Sequence, residues 1–88
     1  MTENETLMQF PCDFPIKILG KNSLVFAAEI LNITRKHFPD TPDEAIRHKP
    51  SRQGNYLAIT VTVIAETQEI LDALYLDLTK HPDVKMVL

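Results

Sequence analysis

Ten residues near the middle of the chain, Tyr56 to Ala65, read YLAITVTVIA, and six in a row, Ile59 to Ile64, are β-branched. Such side chains lose rotamer freedom in a helix and pack well on a pleated surface, so the run is a strand. Its odd positions, Leu57, Ile59, Val61 and Val63, are all apolar. Its even positions, Tyr56, Ala58, Thr60, Thr62 and Ile64, are half polar. A strand of this kind covers a core on one side and meets something wetter on the other. The fold must therefore supply a sheet packed on one face only.

The stretch before it, KPSRQGNY, joins this strand to an earlier one. Gly54 takes positive φ without steric cost, and Asn55 tolerates it. Ser51 to Asn55 thus reads as a hairpin turn with glycine at the bulge position. Phosphate-cradling loops place several glycines ahead of a helix; here one glycine precedes a strand. A residual anion site built from Lys49, Arg52 and backbone amides stays open beside the hairpin reading.

The remaining elements follow from periodicity. Phe14, Ile16 and Ile18 alternate with Pro15, Lys17 and Leu19, a first strand that Gly20 is expected to end. Asn22 or Ser23 caps a helix from Leu24 to Phe38, with an apolar stripe of Leu24, Ala27, Ile30, Leu31, Thr34 and Phe38, and Pro39 beyond it. Phe26 is expected at the margin of the core. Ala45 to Ser51 reads as a short edge strand, because Pro50 cannot donate to a ladder. Thr67 caps a second helix with Ile70, Leu71, Leu74 and Leu78 inward, and Pro82 ends it. Leu76 falls on its outer face as a candidate contact residue. In the last strand Val84, Met86 and Leu88 are expected on one face, Lys85 and Val87 on the other.

The order β-α-β-β-α-β, with right-handed crossovers, gives the ferredoxin-like α+β sandwich. In it a four-stranded antiparallel sheet carries both helices on one face, with the first and third strands central. Residues 1–9 are polar and read as a flexible tail; residues 10–88 form one domain.

Parity then lists the uncovered face: Lys17 and Leu19; Arg47 and Lys49; Tyr56, Ala58, Thr60, Thr62 and Ile64; Lys85 and Val87. Four of the nine basic residues lie there, Arg52 sits at the hairpin tip beside them, and no acid is expected in the strand cores of that face. The chain as a whole carries a net charge of −3. A basic, threonine-rich surface on an acidic protein reads in three ways: a solvated face, a surface for a partner or a second copy, or a seat for a small anion.

Other chemistries are poorly served. Cys12 is the one cysteine, so no intramolecular disulfide forms and a reducing, cytoplasmic setting is expected. The start has no basic n-region, and no apolar run approaches the ~18–20 residues of a membrane span. His37, His48 and His81 lack ligand spacing within any element, so no metal site and no cofactor is expected. No nucleophile–base arrangement or carboxylate pair is indicated, so the chain does not read as an enzyme. RNA-binding versions of the fold stack bases on aromatics of the central strands; here only Tyr56 is offered, and nucleic acid is not expected as a partner. Phosphatase versions hold an anion between first strand and first helix with an arginine; LGKNS offers Lys21 alone.

The residues Phe10-Pro11, Phe14, Lys49-Pro50-Ser51, Gly54-Asn55-Tyr56, Leu74-Tyr75, Leu78 and Met86-Val87-Leu88 together resemble the bacterial YbeD family of small proteins of uncharacterised function. The likeness runs from Phe10 to Leu88, and the Pro-Ser-x-x-Gly-Asn-Tyr hairpin is its most specific part. The family pattern has a lysine before the glycine; this chain has Gln53, with Arg52 one place earlier. The resemblance implies a fold similar to ACT-type regulatory domains, which bind small metabolites such as amino acids and often dimerise. It also implies a link to lipoate metabolism. An ACT-type pocket would fall at Gly20, Lys21, Asn22 and Ser23. The expectation is thus a non-enzymatic regulatory or adaptor protein, contacting an unidentified protein partner or a second copy through the open face or an edge strand. The alternative is a sensor of a small carboxylate.

Overall fold

A computed structural model of the chain describes residues 11–88; the tail assigned to residues 1–9, and Phe10, lie outside the described residues. The sheet is built from β1 (Cys12–Lys21), β2 (Ile46–Pro50), β3 (Tyr56–Ala65) and β4 (Val84–Val87) in the order β2-β3-β1-β4. All its pairings are antiparallel. Two helices, α1 (Leu24–His37) and α2 (Gln68–Thr79), complete the βαββαβ sandwich.

β3 is the strand that the β-branched run requires, and its alternation is the observed one: Ile59, Val61 and Val63 are buried. They pair with Ile18, Ile16 and Phe14 of β1. Onto this surface α1 sets Phe26 and Ile30, and α2 sets Leu71, Leu74 and Leu78, all at most 1% exposed. At ~25 cal/mol per Å² of apolar area removed from water, these side chains supply most of the drive to fold. Thr34 is buried with them, its hydroxyl satisfied by donating to the Ile30 carbonyl at 2.9 Å.

α1 is turned relative to the expected stripe. Phe26 is completely buried, not marginal, while Leu24 is 89% exposed. Ser23 is the cap that fixes where the helix begins, accepting from the Phe26 N–H at 3.0 Å. The inward face is then Phe26, Ile30 and Thr34, spaced by four, and Leu24 lies about 200° around the helix from Phe26.

Nor does Gly20 end β1. Pairing with β3 continues through Gly20↔Leu57 and Lys21↔Tyr56. Gly20 faces the core, and its missing side chain is what lets the Phe26 ring and the Asp83 carbonyl approach. β2 begins one residue later than expected, because Asp43–Ala45 form a 3-10 turn. In β4 a register shift opposite Leu19 and Gly20 inserts Lys85 as an extra residue. Val84 and Val87 therefore pack on the core, and Met86 pairs with Leu19 on the open side. This reverses the expected sides of Met86 and Val87, since a bulge moves every later residue to the other face.

Candidate functional site

The open sheet face is read directly from the strand register. One row across it is Arg47–Thr60–Lys17, continued by Leu88, whose N–H donates to the Lys17 carbonyl at 2.8 Å. The next row is Lys49–Ala58–Leu19–Met86. Strands lie ~4.8 Å apart, so Arg47 and Lys17 stand about 10 Å apart with only a threonine between them. Lys49 is two residues along β2 from Arg47, on the same face. The small side chains of Ala58 and Thr60 leave a shallow depression of ≈ 350 Å³, lined by Lys17, Arg47, His48, Lys49, Ala58 and Thr60.

The three cations face one another uncompensated. The ion pairs among the described residues use Arg35, Lys36, His37 and His81, and none uses Lys17, Arg47 or Lys49. Two like charges 10 Å apart in water repel by only about 0.4 kcal/mol, so the fold tolerates them easily. An anion seated between them would meet all three at once.

The other sequence-chosen residues scatter around this patch. Tyr56 lies at the strand end, 45% exposed and paired with Lys21. Thr62 belongs to a further row with Pro15. Lys85 is exposed at the β4 bulge, on the strand next to that of Lys17, and does not line the depression. Arg52 is exposed at the hairpin tip. His48 has core-side parity, opposite Ile59, yet is exposed because β2 is an edge strand. Leu76 is 60% exposed on α2.

The hairpin is closed by its own atoms. The Ser51 N–H donates to the Tyr56 carbonyl at 2.8 Å, the Tyr56 N–H to the Ser51 hydroxyl at 3.1 Å, and the Gly54 N–H to the Ser51 carbonyl at 2.9 Å. Gly54 has φ of 79°. The residues from Gly20 to Ser23 do not form an open loop. Gly20 and Lys21 are strand residues, and the Ser23 hydroxyl caps α1. The Asn22 side chain donates to the Gly54 carbonyl at 2.8 Å, and its backbone N–H to the Asn55 carbonyl at 3.3 Å. These contacts clamp the hairpin to the start of α1 and leave the Asn22 amide and the Ser23 hydroxyl already engaged.

The sequence reading missed an acid on the open face. β1 starts at Cys12, so Asp13 shares the parity of Lys17 and pairs with Ile64. The open face is therefore bipolar along its strands, basic around Lys17 and acidic around Asp13. The signal was present in the even spacing of Asp13 from Lys17, four residues along one strand, but the two prolines obscured where the strand begins. Two of the three histidines are also engaged: His37 with Asp77 at 2.7 Å and His81 with Glu29 at 2.6 Å. The His81 Nδ1 accepts from the Asp83 N–H, which leaves Nε2 as the donor to Glu29.

A family profile described as protein of unknown function, DUF493, matches residues 5–88. The chain belongs to this family. A UPF0250 protein of Paraburkholderia phytofirmans is 47% identical over 97% of this chain and 96% of its own length. The UPF0250 protein NE1487 of Nitrosomonas europaea is 44% identical over the whole of both chains. This is the YbeD-like family that the hairpin and the terminal strand resemble. Among solved structures, the ACT domain from GTP pyrophosphokinase of Chlorobium tepidum superposes with a TM-score of 0.67 at 22% identity, covering 86% of this chain and 84% of that one. The C-terminal domain of the MgtC protein from Mycobacterium tuberculosis gives 0.63 at 15% identity, over 92% and 88%. At these identities the likeness is one of fold, and the fold of this DUF493 protein is that of an ACT domain. No helix among the described residues is long and apolar enough to cross a membrane.

Proposed function

We propose that this protein is a non-catalytic regulatory or adaptor module that binds an acidic surface of a partner protein through the basic half of its open sheet face. The observation that supports this reading is the triangle of Lys17, Arg47 and Lys49 around Ala58 and Thr60, with no ion pair to any of the three among the described residues. The ACT-like fold and the family resemblance agree with a regulatory role. The test is affinity capture from the native cell with mass spectrometry, using the natural chain and Lys17→Glu/Arg47→Glu/Lys49→Glu. A partner recovered with the first and lost with the second is expected. A partner retained by the variant counts against the reading, as does a chain that stays monomeric and captures nothing.

A second reading keeps the same patch and changes the occupant. The ≈ 350 Å³ depression with three cations fits a small carboxylate. A sensor of this kind is stabilised by its ligand, by about 2.7 kcal/mol at a hundred times Kd. A thermal-shift screen of amino acids and lipoate-like acids should then raise Tm, and a flat screen disposes of this reading.

A further inference from the structure

β3 outruns β2. Their pairing ends at Ile46↔Val61, so among the described residues the last residues of β3 have β1 as their one strand partner. The chain ahead of β2 does not extend the strand: Asp43–Ala45 pack beside β3 as a 3-10 turn, and Pro42 has no N–H to offer. The Ser51 N–H donates to the Tyr56 carbonyl, which fixes the even residues of β3 as those that turn their backbone groups toward the β2 side. By that period Ile64 presents its N–H and C=O past the end of β2. Its side chain is 64% exposed.

A cleft of ≈ 460 Å³ lies against this open edge, walled by Phe38, Pro39, Pro42 and Ile70 and floored by Thr62 and Ile64. Asp13, Asp40 and Glu66 stand around it. None of the ion pairs among the described residues uses these three carboxylates. The cleft thus combines an unpaired strand edge, apolar walls and surplus negative charge. It wraps the edge of the sheet: Asp13 and Ile64 belong to the open face, Ile70 to the helix side.

We propose that this cleft takes an extended, basic segment of a partner protein, which adds to β3 at Ile64 as a short strand. Side chains of an added strand alternate between the two faces. One set would lie beside Asp13 and Ile64, where lysine or arginine is favoured. The other would lie against Phe38 and Ile70, where a β-branched residue fits. The occupant is therefore a segment that alternates basic and β-branched residues, with free backbone N–H groups. This surface is separate from the basic patch, and the proposal does not rest on the function proposed above.

The probe is an acetylated, amidated hexapeptide of alternating lysine or arginine and valine, titrated into the full-length chain and followed by amide NMR and fluorescence anisotropy. Shifts are expected at Ile64 and its neighbours, with at least about tenfold weaker binding to Asp13→Lys/Glu66→Lys. Both substitutions are at exposed positions, and thermal melts check that the variant is folded. A peptide N-methylated at alternate residues should lose binding, as should one with glutamate in place of the bases. The absence of shifts at Ile64 at millimolar peptide overturns the proposal. So does equal binding of the N-methylated or the acidic peptide. Shifts at Ile64 that grow with protein concentration alone would name a second copy as the occupant, and would overturn it too.

Discussion

Gly20 sits where three parts of the molecule converge: the core-facing side of β1, the Phe26 ring from α1, and the Asp83 carbonyl that receives the Lys21 N–H at 3.2 Å. A Cβ at Gly20 would stand 2.6 Å from that carbonyl oxygen, a backbone atom with little freedom to retreat. Gly20→Ala is therefore expected to destabilise by ~1–3 kcal/mol, the usual cost of forcing extra volume into a packed core. Chemical denaturation measures it, and Phe26→Leu in the same chain should recover only part, since Asp83 does not move with the ring. Phe26 and Leu24 give the sharper contrast. Phe26→Ala should cost about 3–5 kcal/mol, enough to unfold much of a marginal domain, whereas Leu24→Ala should stay within ~0.5 kcal/mol. A larger cost at Leu24 than at Phe26 would mean that α1 is turned as its hydrophobic spacing alone suggests. That spacing admits both rotations; the choice is made by the Ser23 cap and by a glycine six residues before Phe26 in another element, and neither signal belongs to the helix pattern.

Elements were legible in proportion to the strength of their rhythm. β3, α2 and the order of all six main elements follow from periodicity and caps, because one buried face imposes a strict repeat. β4 was read with the wrong side of Met86 and Val87, because four residues hold too little pattern to reveal a bulge. Contacts between elements were less legible still. α1 is tied to α2 by His37–Asp77, with Lys36 3.6 Å from the same carboxylate, and to the turn after α2 by His81–Glu29. The hydrogen bond from His37, aided by the charge of Lys36, holds the Asp77 carboxyl below the usual carboxylate range. A carboxyl whose pKa falls on folding adds stability above its unfolded pKa, near ~4, and that stability is lost as pH drops through the lowered value. The natural chain should thus be more stable than Asp77→Asn at neutral pH, with the gap closing below about pH 4. Urea midpoints across that range measure it, and a gap that widens in acid would contradict the assignment.

At the scale of the molecule, the fold leaves Lys17, Arg47 and Lys49 on the sheet face that carries no helices. The sandwich topology was legible, since β-α-β-β-α-β with right-handed crossovers leaves few alternatives. The basic patch was legible in part: parity correctly aligned Lys17, Arg47, Lys49 and Thr60, because central-strand register follows from one buried face. At Gly20 to Ser23 the hairpin engages the Asn22 amide and the helix cap the Ser23 hydroxyl, contacts that periodicity does not reveal. The acidic cleft was not legible, since it depends on how far β3 outruns β2, a length that pairing decides. What results is a bipolar surface, with Lys17 and its neighbours at one end and Asp13, Asp40 and Glu66 at the other. Charge so separated steers an oriented approach by a partner and weakens with salt over a Debye length of ~8–10 Å. The most direct measurement uses the chain's own six lysines as reporters. Lys17, Lys21, Lys49 and Lys85 lie on or beside the open sheet, while Lys36 and Lys80 belong to the helix layer. Amine-reactive crosslinking in the native cell, read by mass spectrometry, should join the chain to its partner through Lys17 and Lys49. Partner links carried by Lys36 and Lys80, with Lys17 and Lys49 silent, would contradict the account.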